Sequence, residues 1–209
     1  MPVVTAPGRP HFSEEELLNA ARDVFHARGY HAAQMRDVAA AAGTTKPTLY
    51  ARLGSKDEIF RRVLEREARR LLTFLDNAYQ RAAERPIDEM IETSTGAFFE
   101  FAKHHAAGAD LLFRAEPATP ATDIAERTVE EIIDQVTRLV RTAIKRNGGR
   151  PTADVALLAA AAVGVSRQAY RYALDHDIDL RRARDLAIGF HQAAMHGIDP
   201  TLVQRPQRR

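Results

Sequence analysis

The sequence of 209 residues contains no cysteine and no tryptophan, and aromatic residues make up only 7% of it. Without cysteine, disulfides and thiolate metal sites are excluded. β-branched residues dominate no stretch of the chain, whereas alanine and arginine are abundant. This composition favours helices over strands and predicts a globular protein.

Long apolar segments are also missing. The longest apolar run, residues 155–165, is rich in alanine and falls short of the roughly 20 residues that cross a bilayer. The first ten residues lack the apolar core of a secretion signal. We therefore expect a soluble cytoplasmic protein with no membrane partner. The net charge is only +2, so a nucleic-acid partner can be indicated only by the local distribution of charge.

Catalytic motifs are absent as well. The sequence has no Gly-rich phosphate loop, no Gly-x-Ser-x-Gly and no His-Glu-x-x-His. Glu100 and His104 have the spacing of a metal-binding pair, but no further ligands are evident and a solvated pair is the better interpretation. We predict no enzyme activity, no metal site and no cofactor.

The chain instead shows helical periodicity almost throughout. Capping signals stand at Ser13 and Ser55, each followed three residues later by glutamate, and at Thr152 and Asp179. Residues 1–10, with Arg9, are expected to form an arm. The pattern predicts an all-α fold of nine helices, at residues 13–29, 35–42, 46–53, 55–83, 86–105, 110–115, 120–147, 152–176 and 179–197.

Two short helices meet at Gly43. A helix of about two turns is marginal alone and needs neighbours to hold it. The helix-turn-helix has this shape, with a glycine in the turn and a second helix presented outward. Val38, Ala39 and Leu49 are the predicted packing residues of the motif.

The second short helix has a basic surface. Between Gly43 and Lys56 the basic residues are Lys46, Arg52 and Lys56, and there is no acidic residue. Together with hydroxyl groups at Thr45 and Thr48, this surface suits phosphate contacts and the reading of base edges. The alternative is a solvated helix between two turns.

Residues 12–60 resemble the DNA-binding signature of the TetR/AcrR family of transcriptional regulators. The residues that carry the resemblance are Gly29-Tyr30, Met35-Arg36-Asp37-Val38-Ala39, Ala42-Gly43, Lys46-Pro47-Thr48-Leu49-Tyr50 and Gly54-Ser55-Lys56-Asp57-Glu58-Ile59-Phe60. They occur in the family's order and without gaps. The resemblance implies an N-terminal three-helix domain over residues 1–54 and a helical effector-binding and dimerisation domain over residues 55–209.

The resemblance also implies roles for single residues. Tyr50 and Lys56 match positions that hold phosphates, and Arg36 matches one that can read a guanine. The predicted DNA-binding residues are Arg36, Thr45, Lys46, Pro47, Thr48, Tyr50 and Lys56. Two positions depart from the family pattern: Gln34 replaces the usual Ser or Thr cap of the second helix, which puts a hydroxyl–phosphate contact in doubt, and Leu53 replaces a common aromatic.

For the C-terminal part the resemblance implies a homodimer, formed by the last two long helices and those of a second subunit. The predicted interface residues lie near one face of the first of these helices: Leu157, Ala161, Gly164, Gln168 and Tyr172. The alternative from the residues alone is an internal core helix.

The middle helices are expected to enclose a pocket. The predicted ligand-binding residues are Met90, Phe98, Phe101, Phe113, Arg167 and Tyr170, although core packing is the better explanation for most of the aromatic residues. We predict a repressor that leaves double-stranded operator DNA when a small, mostly hydrophobic molecule binds. The alternatives are an enzyme in a helical scaffold and a DNA-binding protein without an effector.

Overall fold

The protein is described by a computed structural model that covers residues 13–114 and 119–205. The predicted arm with Arg9, and Ala115 at the predicted end of the sixth helix, lie outside the described residues. Within them the fold is all-α. The helices are α1 (Glu14–Ala32), α2 (Met35–Ala41), α3 (Lys46–Leu53), α4 (Lys56–Ala82), α5 (Ile87–His104), α6 (Ala106–Phe113), α7 (Thr122–Arg146), α8 (Val155–Asp175), α9 (Leu180–Gly197) and α10 (Pro200–Val203).

Nine of these helices match the predicted set, and the capping boxes at Ser13 and Ser55 are confirmed. The tenth, α10, is a single turn. It leads into a two-residue strand, β2 (Gln204–Arg205), which pairs antiparallel with β1 (Arg150–Pro151). Segments this short carry no periodicity, so the sequence did not indicate them.

The prediction that Thr152 caps α8 is wrong. The cap position is Asp154, and it makes no side-chain capping bond. The Thr152 hydroxyl and amide instead donate to the carbonyls of Leu202 and Val203, at 2.8 and 2.9 Å. Pairing of β1 with β2 brings the C-terminal segment next to Thr152, a contact that local spacing cannot reveal.

Two helix boundaries also differ from the prediction. In α1 the predicted stop, Gly29, is a kink with φ 73°, after which one more turn runs to Ala32. The helix α6 begins at Ala106, four residues before its predicted start. The backbone break that separates it from α5 falls at His105, whose φ of −126° and ψ of 42° are not helical. No glycine or proline marks that break.

The helices α1–α3 share a core with the first turns of α4. Phe25 of α1 packs edge-on against Phe60 of α4, with ring centroids 4.9 Å apart, and Tyr30 lies 4.8 Å from the same ring. The predicted packing residues Val38, Ala39 and Leu49 are all buried. The N-terminal unit is therefore built on the start of α4 as well as on its own three helices.

The rest of α4 runs into a second group of helices. It packs against α5 and α7, while α8 and α9 pack against each other and against α7 and α5, respectively. At 27 residues, α4 is about 40 Å long and reaches from the N-terminal unit into this group. No helix in the described ranges is long and apolar enough to span a membrane.

Candidate nucleic-acid interface and effector cavity

The short helix α3 is held at both ends by local contacts. Its cap residue, Thr45, accepts a hydrogen bond from the amide of Thr48 at 3.3 Å, and the two hydroxyls are 2.9 Å apart. At the other end the amide of Gly54 donates to the carbonyl of Tyr50. Because the apolar side chains Leu49 and Leu53 are buried, the remaining face of α3 points to solvent.

The turn before α3 depends on Gly43. Its φ is 64°, in the left-handed region that residues with a Cβ avoid. The amides of Gly43 and Thr44 donate to the carbonyls of Ala40 and Ala39, which closes α2 with a Schellman motif. The chain then turns sharply into α3, as the helix-turn-helix prediction requires.

Six of the seven predicted DNA-binding residues are exposed, and the seventh, Lys56, is partly buried. The exposed residues are Arg36, Thr45, Lys46, Pro47, Thr48 and Tyr50. They lie on α3, at its cap and in the first turn of α2. No acidic residue occurs in α3. The structure therefore presents a continuous segment with basic, hydroxyl and aromatic groups to solvent.

Arg36 and Lys56 differ in how firmly they are held. The Arg36 side chain is 73% exposed, and its nearest carboxylate, Asp37, is 3.7 Å away and already paired with Arg28. Lys56 is the first residue of α4. Its ammonium donates to the carbonyl of His31 at 3.2 Å and lies 4.6 Å from the centre of the Tyr30 ring. Arg36 is free to reach a base, whereas Lys56 is pre-positioned beside the N-terminal unit.

The helix α2 lacks a side-chain cap at its N-terminus, as its sequence indicates. Gln34 occupies the cap position and makes no side-chain capping bond. The amides of Asp37 and Val38 instead donate to the backbone carbonyl of Gln34. A hydroxyl that could contact a phosphate is missing at this position.

Charged contacts tie α4 to α1. Arg62 pairs with Glu14 and Arg70 with Glu15, while the buried guanidinium of Arg66 donates to the carbonyls of Glu15 and Leu18 at 3.3 and 3.4 Å. The Arg66 guanidinium also bonds the buried carboxylate of Glu67, at 2.7 Å. A displacement of α4 therefore carries α1 with it.

A cavity of about 130 Å³ lies among α4, α5, α7, α8 and α9, with Phe113 of α6 at its wall. Its volume is close to the roughly 150 Å³ of an engineered apolar cavity that holds benzene. The lining residues are Tyr79, Met90, Ile91, Ser94, Thr95, Phe98, Phe113, Ile132, Val136, Leu139, Val140, Leu158, Ala159, Ala161, Ala162, Val163, Ser166, Arg167, Phe190, His191, Ala194 and Met195. The lining is mostly hydrocarbon and aromatic.

Four of the six predicted ligand-binding residues line this cavity: Met90, Phe98, Phe113 and Arg167. The other two do not. Phe101 packs against Phe74 on another side of α5, with ring centroids 5.7 Å apart. Tyr170 stands behind the lining, where its ring contacts Phe98 and Phe113 and its hydroxyl donates to Asp110 at 2.6 Å. Both are core residues in this structure.

Sequence reasoning missed most of the cavity wall. Residues of α7 and α9, such as Val136 and Phe190, reach it only because the helices converge, and nothing local marks them. For Tyr79 the sequence did contain a signal, namely its helical spacing. Tyr79 follows Leu71 and Leu75 at intervals of four on the buried face of α4, so the periodicity predicts that it lies on the core side.

His191 is a polar residue of the cavity lining, and both of its ring nitrogens form hydrogen bonds within the protein. Its Nε2 lies 3.1 Å from the carbonyl of Ala162, which can only accept, so this nitrogen carries the hydrogen. The Nδ1 atom then accepts from the Thr95 hydroxyl at 3.0 Å. Burial lowers the pKa of His191. The ring is therefore a neutral bridge between α5 and α8.

The five predicted interface residues are all exposed along one face of α8: Leu157, Ala161, Gly164, Gln168 and Tyr172. The Leu157 side chain is 72% exposed, and the neighbouring α9 adds Leu186 and Phe190 at 73% and 56%. A side chain built at Gly164 would meet no atom within 4 Å. The α8–α9 face, as we call the surface of these seven residues, is apolar and uncovered in a single chain.

Glu100 and His104 form an exposed pair, with Oε1 and Nε2 2.6 Å apart. In the described part of the chain, no group of three or more possible metal ligands comes together.

Comparisons with known proteins fit this geometry. Residues 17–63 match the family model for bacterial regulatory proteins of the tetR family. The HTH-type transcriptional activator FasR of Mycolicibacterium smegmatis is 32% identical over 162 residues, which cover 78% of this chain and 72% of FasR. The HTH-type transcriptional repressor BdcR of Escherichia coli is 42% identical over 59 residues, 28% of this chain and 30% of BdcR.

Solved structures show the same fold. A TetR-like transcriptional regulator from Rhodococcus sp. RHA1 superposes with a TM-score of 0.68 and 27% identity, covering 88% of this chain and 96% of that one. SmeT, the repressor of the Stenotrophomonas maltophilia multidrug efflux pump SmeDEF, gives a TM-score of 0.72 at 19% identity, covering 93% and 92%.

A helix-turn-helix on an all-helical body is the architecture of a DNA-binding transcriptional regulator, a class without enzymatic activity. The chain belongs to the TetR family of bacterial regulatory proteins. The predicted all-α fold and the predicted family are thereby confirmed.

Proposed function

We propose that this regulator binds operator DNA as a homodimer and leaves it when a small, mostly hydrophobic effector occupies the cavity. The observation that carries the proposal is the exposed face of α3, where Lys46, Thr48 and Tyr50 project from a helix whose apolar side is buried. Since its operators lie on the chromosome, we also propose that the protein works in the cytoplasm.

In this proposal the start of α3 reads bases in the major groove. Lys46, Pro47 and Thr48 occupy its first turn, which is the part of a recognition helix that reaches base edges. Arg36 of α2 reads a guanine, because a guanidinium meets O6 and N7 together. Tyr50 and Lys56 hold phosphates on either side, and Thr45 adds a hydroxyl at the cap.

The second subunit covers the α8–α9 face. Four large apolar side chains stand exposed there, at Leu157, Tyr172, Leu186 and Phe190. Such a patch favours a protein partner, and a two-fold dimer would pair this face with itself. Alanine and glycine at positions 161 and 164 permit close approach of the two α8 helices. We propose half-sites about 34 Å apart or more, one turn of DNA or a multiple of it.

The cavity is our proposed effector site, because it lies between the long helices, is mostly apolar, and includes Tyr79 of α4 in its wall. The names of two neighbours report small molecules in this fold: FadR of Bacillus subtilis with stearoyl-CoA, and SmeT with triclosan. Both neighbours are under 25% identical to this chain. They support an apolar effector as a class.

The contact between the cavity and the DNA-binding unit is proposed to run through α6. Asp110 accepts the hydroxyl of Tyr170, which packs on two cavity aromatics, and its other oxygen lies 3.5 Å from Nδ1 of His26 on α1. Gly108 lets α6 sit directly on α4, because an added Cβ would come within 2.5 Å of the buried Glu67 carboxylate. An effector that displaces Phe113 would shift α6 and, with it, α1 and α4.

Repression is our first proposal for the direction of control. The curated relatives BdcR and ComR, both of Escherichia coli, are named repressors, but they match only about 60 residues at the DNA-binding end. Activation is a second candidate, because FasR, which matches most of the chain, is named an activator. A reporter gene behind the native promoter distinguishes the two: deletion of the regulator raises expression for a repressor and lowers it for an activator.

The experiment that tests operator binding combines in vitro selection from random duplexes with sedimentation. We expect a near-palindromic site and a dimer at micromolar protein. Gly164→Arg should keep the thermal stability, since the single chain leaves that side chain free space, yet shift the protein to monomer and abolish tight operator binding. A wild-type monomer bound to the selected site would contradict the proposal.

A control for this variant is Gly189→Arg. Position 189 on α9 also has open space around an added Cβ, but it lies beside Phe190 and outside the predicted contact positions of α8. A smaller effect at 189 than at 164 would place the two α8 helices at the centre of the dimer. The reverse order would move the centre to α9.

A further inference from the structure

The cavity wall contains one charged side chain in a lining that is otherwise hydrocarbon, aromatic or neutral. Among the described residues that line it, Arg167 of α8 is the single ionised group, and no aspartate or glutamate accompanies it. His191 does not add charge, because both of its ring nitrogens are engaged within the fold and its pKa is lowered by burial. The cavity therefore has a net positive charge at one point.

Arg167 has no partner in the described part of the chain. It is partly buried and makes neither an ion pair nor a side-chain hydrogen bond with any described residue. Other arginines of the body behave differently: Arg114 pairs with Asp175 at 2.9 Å, and Arg61 pairs with Asp123 in a two-point contact. An unpaired guanidinium that is only partly buried in the cavity wall is available to a ligand that supplies an acceptor.

A second donor on the wall is also unused. Tyr79 of α4 is a largely buried residue of the lining, and its hydroxyl bonds to no described residue. Burial raises the pKa of Tyr79, so its proton stays in place at neutral pH. Arg167 and Tyr79 therefore both offer hydrogens to a ligand, and the lining provides no carboxylate to accept from a cationic molecule.

Resting on the proposal that the cavity binds the effector, we propose that the effector is an amphipathic anion: an apolar chain or ring system that ends in a carboxylate. The carboxylate pairs with Arg167, and the apolar part lies along Phe98, Phe113 and the faces of α7 and α8. An ammonium compound is rejected, because its charge would meet Arg167 and find no carboxylate. An acyl thioester of coenzyme A has no carboxylate and carries its negative charge on phosphate groups, so the test separates it from the free acid.

The volume adds a condition on the ligand. At about 130 Å³ the cavity holds a small apolar group and not a long chain. The tail of a longer carboxylate must either extend past the exposed lining residues Ala161 and Phe190 or push the helices apart as it binds. If the tail pushes the helices apart, long acids should release operator DNA more effectively than short ones, while both show the same preference for a carboxylate head group.

The test uses three matched probes, dodecanoate, dodecanol and dodecylamine, titrated into the full-length protein by calorimetry below their micelle concentrations. Dodecanoate should bind, dodecanol should bind more weakly, and dodecylamine should not bind. Arg167→Gln should lower the affinity for dodecanoate by about tenfold or more, so that dodecanoate no longer binds more tightly than dodecanol. Arg167→Lys keeps the charge and should keep the preference for the acid.

The control is Arg138→Gln. Arg138 is an exposed arginine of α7 that does not line the cavity, so its removal changes the net charge by the same amount and should leave all three titrations unchanged. Dodecanoyl-CoA serves as a fourth probe. Tighter binding of the thioester than of the free acid, lost in Arg167→Gln, would show that Arg167 pairs with a phosphate of coenzyme A and would contradict the carboxylate assignment.

Two results would overturn the inference. If dodecylamine binds as well as dodecanoate, or if Arg167→Gln keeps the preference for the acid over the alcohol, Arg167 does not select the ligand. If dodecanoate or dodecylamine still releases operator DNA in that case, the proposed function stands, and only the inference that the effector is an anion is wrong. If no probe binds while operator binding is intact, the inference is overturned and a regulator without an effector in this cavity is favoured.

Discussion

The DNA-binding surface and the effector cavity of this protein are built in opposite ways. The first consists of exposed side chains within residues 36–56, on short elements held by caps and turns that each involve neighbours along the chain. The second collects residues from six helices, and more than half of them are buried. A surface of the first kind can be changed without loss of folding, whereas a change in the second alters stability and binding together.

The largest expected effect is at Phe98. Its side chain is buried and its ring contacts those of Phe99, Phe113 and Tyr170 at 5.2–5.7 Å. Phe98→Ala should lower the free energy of unfolding by about 3–5 kcal/mol, because a large buried ring leaves a cavity behind. Urea denaturation measures it. Phe190→Ala, at the same cavity but 56% exposed, is the control and should cost far less. Equal costs would contradict the view that burial at the cavity wall determines the loss of stability.

The next effect is at Arg36. Arg36→Ala should weaken binding to the selected operator by about 1–3 kcal/mol, because one bidentate contact to a guanine is lost. The free energy of unfolding should not change, since the side chain is largely exposed and weakly held. Fluorescence anisotropy on operator and scrambled duplexes measures the first quantity. An equal loss on both duplexes would make Arg36 a phosphate contact and not a base reader.

Lys56 should affect both DNA binding and stability, because it is a predicted phosphate contact and also packs against the Tyr30 ring. Lys56→Gln should weaken binding to every sequence and reduce the slope of log affinity against log salt by about one. It should also cost about 0.5–1 kcal/mol of stability through the lost contact with the Tyr30 ring. An unchanged salt slope would show that Lys56 only positions the N-terminal unit.

The smallest effect concerns pH. Burial lowers the pKa of His191, so the unfolded chain binds a proton at a pH where the folded chain does not. The contribution of the neutral ring is therefore fully present above about pH 6.5, the pKa of an exposed histidine, and is lost as the pH falls through the lower, folded pKa. The difference in stability between wild type and His191→Gln, followed from pH 7 to 5, should shrink on acidification. A difference that is constant with pH would contradict this.

The same contrast explains what the sequence could predict. The caps at Ser13, Ser55 and Asp179, the turn at Gly43 and the exposed face of α3 are local features, so residue spacing was enough to find them. The β1–β2 pair, the true start of α8 and the place of Tyr170 behind the cavity depend on contacts between residues 50 to 60 positions apart. Aromatic density around Phe98 pointed to the right region, but it did not separate lining residues from those behind them.

The central claim, that occupancy of the cavity opposes operator binding, is tested most directly by one calorimetric comparison. The tightest-binding probe of the dodecyl series is titrated into the free dimer and into the dimer saturated with its selected operator. Linkage requires a reciprocal effect. The operator must lower the affinity for the probe by the same factor by which the probe lowers the affinity for the operator. We expect weaker probe binding, by about fivefold or more, on the operator complex. Equal probe affinities for the free and the operator-bound dimer would contradict the claim.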